Sequence, residues 1–436
     1  MRKAFPNKNS KNHKYSKYQN HININNNDNK DENDNQFIFN SVEDNKNDIP
    51  AWMSPETQKI ENIKKRFHQE IIDYVNYITP KGETLTIREK TFHLLTDIIQ
   101  KYKPDWKVVL FGSYSQNTQT IFSDLDFLIL YKDDSSKNFD IKEMYNLMNI
   151  LKKEEFSKNI RLVKARVPIL KATCTITGIN IDISMNRQNG CHAVLVIRKI
   201  LKKYNILKPS IIILKILLTK FNLNESHSGG MNSYLLFHLV YFLLVHKFNK
   251  KNNDEKNEYN PNNIISNEND TNDTNNNKNI EDKEKAYSSK DKEDKNNNES
   301  SSNSEEKKIY NDNKSNNNII INNNYKEVEK KYEIKLSVFI ILFLKYYGYE
   351  FEYEKYGFSL NDNNFGNIFN KEERTDMEYS KTICVESIIE HGVDVGKSCF
   401  NYEKIVNLFK AAYNKIKLEI ENNTCSLLQS LGFPSI

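Results

Sequence analysis

The chain of 436 residues is poor in cysteine: five residues, Cys174, Cys191, Cys384, Cys399 and Cys425, with no CxxC pair among them. An odd, scattered set excludes a disulfide framework and a structural zinc site, and suits a reducing compartment. Long apolar runs are also missing. "IIILKILL", "YLLFHLVYFLLV" and "LSVFIILFL" all fall short of the roughly 18 residues that a membrane span requires, so they read as core helices. The opening "MRKAFPNKNSKNHKYSKYQN" has no apolar segment of the signal-peptide kind, which leads to the expectation of an intracellular protein with no membrane contact. Internal repeats are absent. Net charge is only +5, which permits polyanion binding without requiring it.

Two stretches lack apolar patterning altogether. Residues 1–48 and 249–330 are dominated by Asn, Lys, Asp and Glu, and neither buries enough surface to offset chain entropy; both are expected to be disordered. About 300 residues remain, ample for two domains.

Within them the period changes twice. Residues 55–79 carry a helical apolar rhythm (Ile60, Ile63, Phe67, Ile71, Tyr74, Val75, Ile78) stopped at Pro80, and a second helix is predicted over 85–101. "KVVLFGS", "DLDFLILY", "RLVKARVPILKAT" and "GINIDISMN" then read as four strands, the third with a bulge or edge at Pro168. After Gly190 the pattern returns to helix at 191–204, 209–221, 231–248, 333–347 and 401–417. This order predicts an α+β fold: a small mixed β-sheet at 104–189 inserted in an all-helical domain made of 49–103, 190–248 and 331–436.

Side chains alternate along a strand, so Asp124 and Asp126 share one face while Leu125 and Phe127 enter the core. Asp182 sits on a later strand whose Ile179, Ile181 and Ile183 turn the other way. If the two strands are neighbours, three carboxylates converge, and such an oxygen cluster suits a hard divalent cation bridging to phosphates. "FGSYS" ends the preceding strand with a glycine, where backbone approaches a ligand closely, and a hydroxyl. A lone DxD or a lone Gly-Ser is most often decoration or a turn. Strand, Gly-Ser, D-h-D strand and h-D-h strand in that order are far rarer together, and point to nucleotidyl transfer.

These stretches resemble the DNA-polymerase-β-like nucleotidyltransferase superfamily. The helices of 49–92, "VVLFGSYSQNTQTIFSDLDFLIL", "KARVPILKATCTITGINIDISMNRQNG", "LKILLTKFNLNESHSGGMNSYLLFHLVYFLL" and "DVGKSCFNYEKIVNLFKAAY" narrow the likeness to noncanonical poly(A) polymerases of the topoisomerase-related-function type, which act in nuclear RNA surveillance. The resemblance implies that Asp124, Asp126 and Asp182 hold Mg²⁺ (or Mn²⁺), with Asp182 drawing the proton from the RNA 3′-hydroxyl. It implies that Gly112 and Ser113 grip the triphosphate of ATP, that Asn189 meets the ribose 2′-OH, that Lys215 and Ser233 contact phosphates, and that Tyr234 stacks on the base. Read as residues alone, Lys215 has the alternative of a lysine snorkelling from an apolar helix, with the ligand role favoured, and Tyr234 is equally a core ring. His227, His238 and His246 form no ligand set and read as structural or surface residues. Arg166 and Lys171, on what reads as an edge strand, are by default a solvated face.

Relatives carry an Asp-Pro and a longer loop before the "DVGR"-like motif. Here "IIEHGVDVGKS" is short, and Val393 stands where the uridylyl enzymes of the superfamily carry a base-reading histidine. The resemblance thus implies AMP addition to RNA 3′ ends, with a terminal uridylyltransferase or an inactive scaffold of the same fold as alternatives. It further implies a nuclear location and partners such as a zinc-knuckle RNA-binding protein and an RNA helicase; no RNA-binding domain is recognisable in the chain, so low processivity is expected.

Overall fold

The computed structural model describes residues 37, 39, 49–130, 141–164, 168–185, 188–248, 334–360, 366–374 and 382–435. The low-complexity stretches expected at 1–48 and 249–330 lie outside these, apart from Phe37 and Phe39, whose rings meet Phe221 edge-on at 5.1 and 5.5 Å.

The α+β expectation holds. Three helices come first: α1 (Pro55–Gln58), α2 (Ile63–Ile78) and α3 (Glu83–Tyr102). The single helix expected at 55–79 is in fact two, because each half has its own N-cap: Ser54 accepts from the Thr57 amide and Asn62 from the Lys65 amide. Then come β1 (Lys107–Leu110), the one-turn α4 (Gly112–Ser115), β2 (Leu125–Leu130), α5 (Ile141–Lys153), β3 (Arg161–Val163), β4 (Ile169–Thr173) and β5 (Asn180–Met185). The stretch read as one strand around Pro168 is therefore two, paired antiparallel with Val163 opposite Ile169.

The five strands form one mixed sheet in the order β1-β2-β5-β4-β3. Only β2 and β5 run parallel. Both alternate as the sequence implies: Leu125, Phe127, Ile181, Ile183 and Met185 are buried, joining Leu95, Ile99, Met144 and Leu147 from α3 and α5 in one core. A second core belongs to the helices α6 (Gln188–Lys203), α7 (Leu207–Lys220), α8 (Ser233–Phe248), α9 (Leu336–Lys345) and α10 (Tyr402–Glu421), together with α2 and the last turn α11 (Leu427–Ser430). α8 is apolar on every side and correspondingly buried from Leu235 to Val245. A two-stranded ribbon, β6 (Tyr356–Ser359) and β7 (Asn367–Asn370), lies between α9 and α10 in the chain. Among the described residues no helix is long and apolar enough to cross a membrane.

Candidate active site

The sheet register sets the site. Asp126 on β2 is the direct partner of Asp182 on β5, and Asp182 is in turn the partner of Lys171 on β4. Alternation puts all three side chains on the face opposite the isoleucines. The Lys171 ammonium reaches Asp182 Oδ2 at 2.6 Å. This corrects the expectation of an edge strand with a solvated face: β3 covers the outer side of β4, so Lys171 stands inside the sheet and is committed to a carboxylate. Its partner in that expectation, Arg166, lies outside the described residues.

Asp124 precedes β2, and its position depends on a residue with no mark in the sequence. Arg88 on α3, fully buried, donates to the carbonyls of Thr120 at 3.0 Å, Ile121 at 3.2 Å and Ser123 at 2.7 Å, in the loop that leads into Asp124. One guanidinium thereby satisfies carbonyls that would otherwise be stranded. The Ile121 amide also donates to Ile78 O at 2.8 Å, tying this loop to the end of α2.

Gly112 adopts φ +56, and a Cβ there would stand 2.0 Å from Asp126 Oδ2. Only glycine allows the backbone this close to the carboxylate. The next residue, Ser113, is buried, and its Oγ has no hydrogen-bond partner among the described residues. The Asp126 carboxyl is held well above the usual carboxylate range, first by burial and then by the charges of Asp124 and Asp182, with Lys215 and Lys171 acting against them. Burial and Asp124 raise Asp182 likewise, the Lys171 bond offsetting part of it.

Among the described residues no three ligating side chains close into a ready-made metal cluster. Asp182 gives one oxygen to Lys171 instead. The donor set nonetheless fits a hard divalent cation: it is all carboxylate oxygen, and its own charges repel one another more than the two lysines relieve.

Lys215, on α7, is half-buried and near enough to Asp126 to lower its pKa, so the helical part contributes to the carboxylate site. Ser233 and Tyr234 open α8, and the Tyr234 hydroxyl lies 3.2 Å from Ser387 Oγ. Val393 faces the same neighbourhood: its carbonyl accepts the Ser387 amide at 2.8 Å. Asn189 is in the first turn of α6, but its side chain is outside the described residues. These residues fall into two groups, one around Asp126, which Lys215 joins, and one around Tyr234.

The motif at 394–396 is structural. Asp394 Oδ1, buried, accepts from the Val385 amide at 3.0 Å and the Gly396 amide at 2.7 Å, and a Cβ on Gly396 would meet Ile383 O at 2.1 Å. His238 is buried too, joined to Tyr234 O at 2.7 Å and to the Ile388 amide at 3.1 Å. It is a brace between α8 and the 387–393 loop, in keeping with a structural histidine.

Residues 67–202 match the family described as poly(A) RNA polymerase, mitochondrial-like, central palm domain. The chain is 32% identical over 186 residues to the poly(A) RNA polymerase cid14 of Schizosaccharomyces pombe, covering 42% of this chain and 27% of that protein. To poly(A) RNA polymerase protein 2 of Saccharomyces cerevisiae it is 32% identical over 46% of this chain and 34% of that one. The matches span about a quarter to a third of these relatives' length. In fold the chain is similar to the polymerase core of TRAMP, an RNA surveillance complex, with TM-score 0.60 and 22% identity over 86% of this chain and 94% of that one. It is similar also to the Cid1 poly(U) polymerase solved with MgGTP, with TM-score 0.53 and 18% identity over 81% and 94% of the two chains.

Proposed function

We propose that this chain is a noncanonical poly(A) RNA polymerase, adding AMP units from ATP to RNA 3′ ends without a template. The observation that carries the reading is the register of Asp126 against Asp182 on parallel neighbouring strands, with Gly112 backbone packed on Asp126 and Lys171 on Asp182.

In this reading Asp124, Asp126 and Asp182 hold Mg²⁺ or Mn²⁺. When bound, the metal neutralises phosphate charge and favours ionisation of the attacking hydroxyl. Asp182, its pKa lifted by burial and Asp124, accepts the proton of the RNA 3′-hydroxyl. The 3′-oxygen then bonds to the α-phosphorus of ATP, the α–β bridging bond breaks, and pyrophosphate leaves. Ser113 Oγ, buried without a partner among the described residues, and the Gly112 turn receive the triphosphate. Lys215 supplies positive charge beside Asp126 for the phosphates, and Ser233 joins it. Asn189 meets the ribose 2′-OH. The exposed part of the Tyr234 ring stacks on the base, beside Val393.

RNA affinity would come from partners, a zinc-knuckle protein and a helicase being the kinds this reading calls for, and the setting would be nuclear RNA surveillance. Extension of a labelled oligoribonucleotide with each of the four nucleotides in turn, with Mg²⁺, tests the activity. A ladder strongest with ATP is expected. A preference for UTP would make the protein a terminal uridylyltransferase, and no extension with any nucleotide would make it a scaffold.

A further inference from the structure

The loop after Val385 doubles back on itself. Glu386 bridges Asp394 across it, and Ser387 pairs with Val393. Beneath the turn lies the Glu386 side chain, 1% exposed. Its Oε1 collects three donors from separate places: the Gly392 amide at 2.8 Å, an Arg374 guanidinium nitrogen at 2.9 Å and His391 Nδ1 at 2.7 Å. Arg374 is itself stacked on the Phe369 ring of β7, 4.5 Å from its centre. The carboxylate therefore fastens the tip of the loop to the β6–β7 ribbon.

A buried charge beneath a surface turn is a costly way to fill space, since an apolar side chain of similar size would do so without desolvation. What the charge provides is a defined geometry. Burial pushes the Glu386 carboxyl up, but the Gly392 amide, the Ser359 hydroxyl and Arg374 more than offset it, and the net direction is down. On its other side the loop is fixed to α8 through Ser387 on Tyr234 and Ile388 on His238. Val393 hangs between Gly392, which Glu386 holds, and Asp394, which caps the Val385 and Gly396 amides. The loop's one imidazole, His391, is engaged on the same carboxylate although its ring is largely exposed.

We propose that Glu386, paired with Arg374, is a positioning residue for base selection: it sets Val393 beside Tyr234 and keeps the His391 imidazole from serving a base edge. This rests on the reading of 387–394 as the base-recognition loop. Loosening the carboxylate should free a hydrogen-bonding ring next to the base and erode the preference for ATP.

The test uses the full chain with Mg²⁺, titrated with ATP and with UTP separately, and hydrogen exchange at residues 387–393. Glu386→Gln and Arg374→Met should each shift the ratio of UTP to ATP dissociation constants toward UTP by about fivefold or more, the range of a single gained or lost polar contact. Amides of 387–393 should exchange faster in both, with those of β5 unchanged. A general structural role would weaken both nucleotides equally. A ratio within about twofold of wild type in either folded variant, or unaltered loop exchange, overturns the proposal; should Glu386→Gln not fold, Arg374→Met decides alone. Wild-type protein that binds UTP better than ATP would end the adenylyl reading while leaving this one intact, because the shift in ratio and the loop exchange are read against wild type whatever its preference.

Discussion

His238 offers a direct measure of how the base-side loop is held to the helices. The Ile388 amide donates to Nε2, so that nitrogen carries no proton, and Nδ1–H donates to Tyr234 O. Burial pushes the imidazole from 6.5 down to about 4, the Tyr234 bond pulling slightly the other way. Between those pH values the unfolded chain takes up a proton that the folded one refuses. The contribution is therefore fully present above pH 6.5 and is lost as pH falls toward 4. At about 1.4 kcal/mol per unit, the loss across this range is about 3 kcal/mol. His238→Asn keeps a donor for Tyr234 O but leaves the Ile388 amide unpaired, a cost of about 1–3 kcal/mol at pH 7.5. The variant has nothing to titrate here, so its deficit against wild type should shrink steadily with acidification and vanish or reverse near pH 4. Urea unfolding followed by the fluorescence of Trp52 and Trp106, both buried, reads this between pH 4 and 7.5. A deficit of constant size over the whole range would refute the assignment of His238 as a buried neutral brace.

Asp126→Asn should abolish oligoribonucleotide extension. It should also raise the melting temperature at pH 7.5, because burial lifts the folded Asp126 carboxyl to about 8 while the unfolded one ionises in the ordinary range, which favours the unfolded chain at every pH above that range; below it the gain should disappear. Gly112→Ala places a methyl 2.0 Å from Asp126 Oδ2 at a positive φ, and should lose about 1–3 kcal/mol of stability together with most of the activity, measured by thermal melting and primer extension. Val393→His should raise UTP incorporation relative to ATP, and Tyr234→Ala should raise KM for both; four-nucleotide extension kinetics check the pair.

Patterns that repeat along the chain were legible, and contacts made once were not. The alternation in "DLDFLIL" and "NIDISM" predicts two half-buried strands because every second residue pays into one core, and both strands lie where it points. The apolar runs at 209–221 and 231–248 likewise mark α7 and α8. The division of 55–79 was hidden because the two caps, Ser54 and Asn62, are local and break the apolar rhythm by only a few residues. The fold of "RLVKARVPILKAT" into a hairpin was hidden because each arm by itself continues the strand pattern. That error displaced Lys171, whose place beside Asp182 follows only once β4 is known to be internal.

Arg88, His238 and Glu386 share a deeper reason for their obscurity. Each is a single polar residue whose partners include backbone groups: the carbonyls of 120–123 and the Ile388 amide in distant segments, and the Gly392 amide within Glu386's own loop. Any residue type supplies those backbone groups, so the partner segment need show no complementary letter. What constrains such a residue is the burial of the site around it, and burial is a property of the assembled fold. Asp124, Asp126 and Asp182 differ because the proposed chemistry demands a residue type in a strand or just before it, and that demand is written in the sequence. The catalytic carboxylates of the proposed reaction can therefore be picked out before folding, whereas the groups that hold them and the base-side loop in place emerge only afterwards.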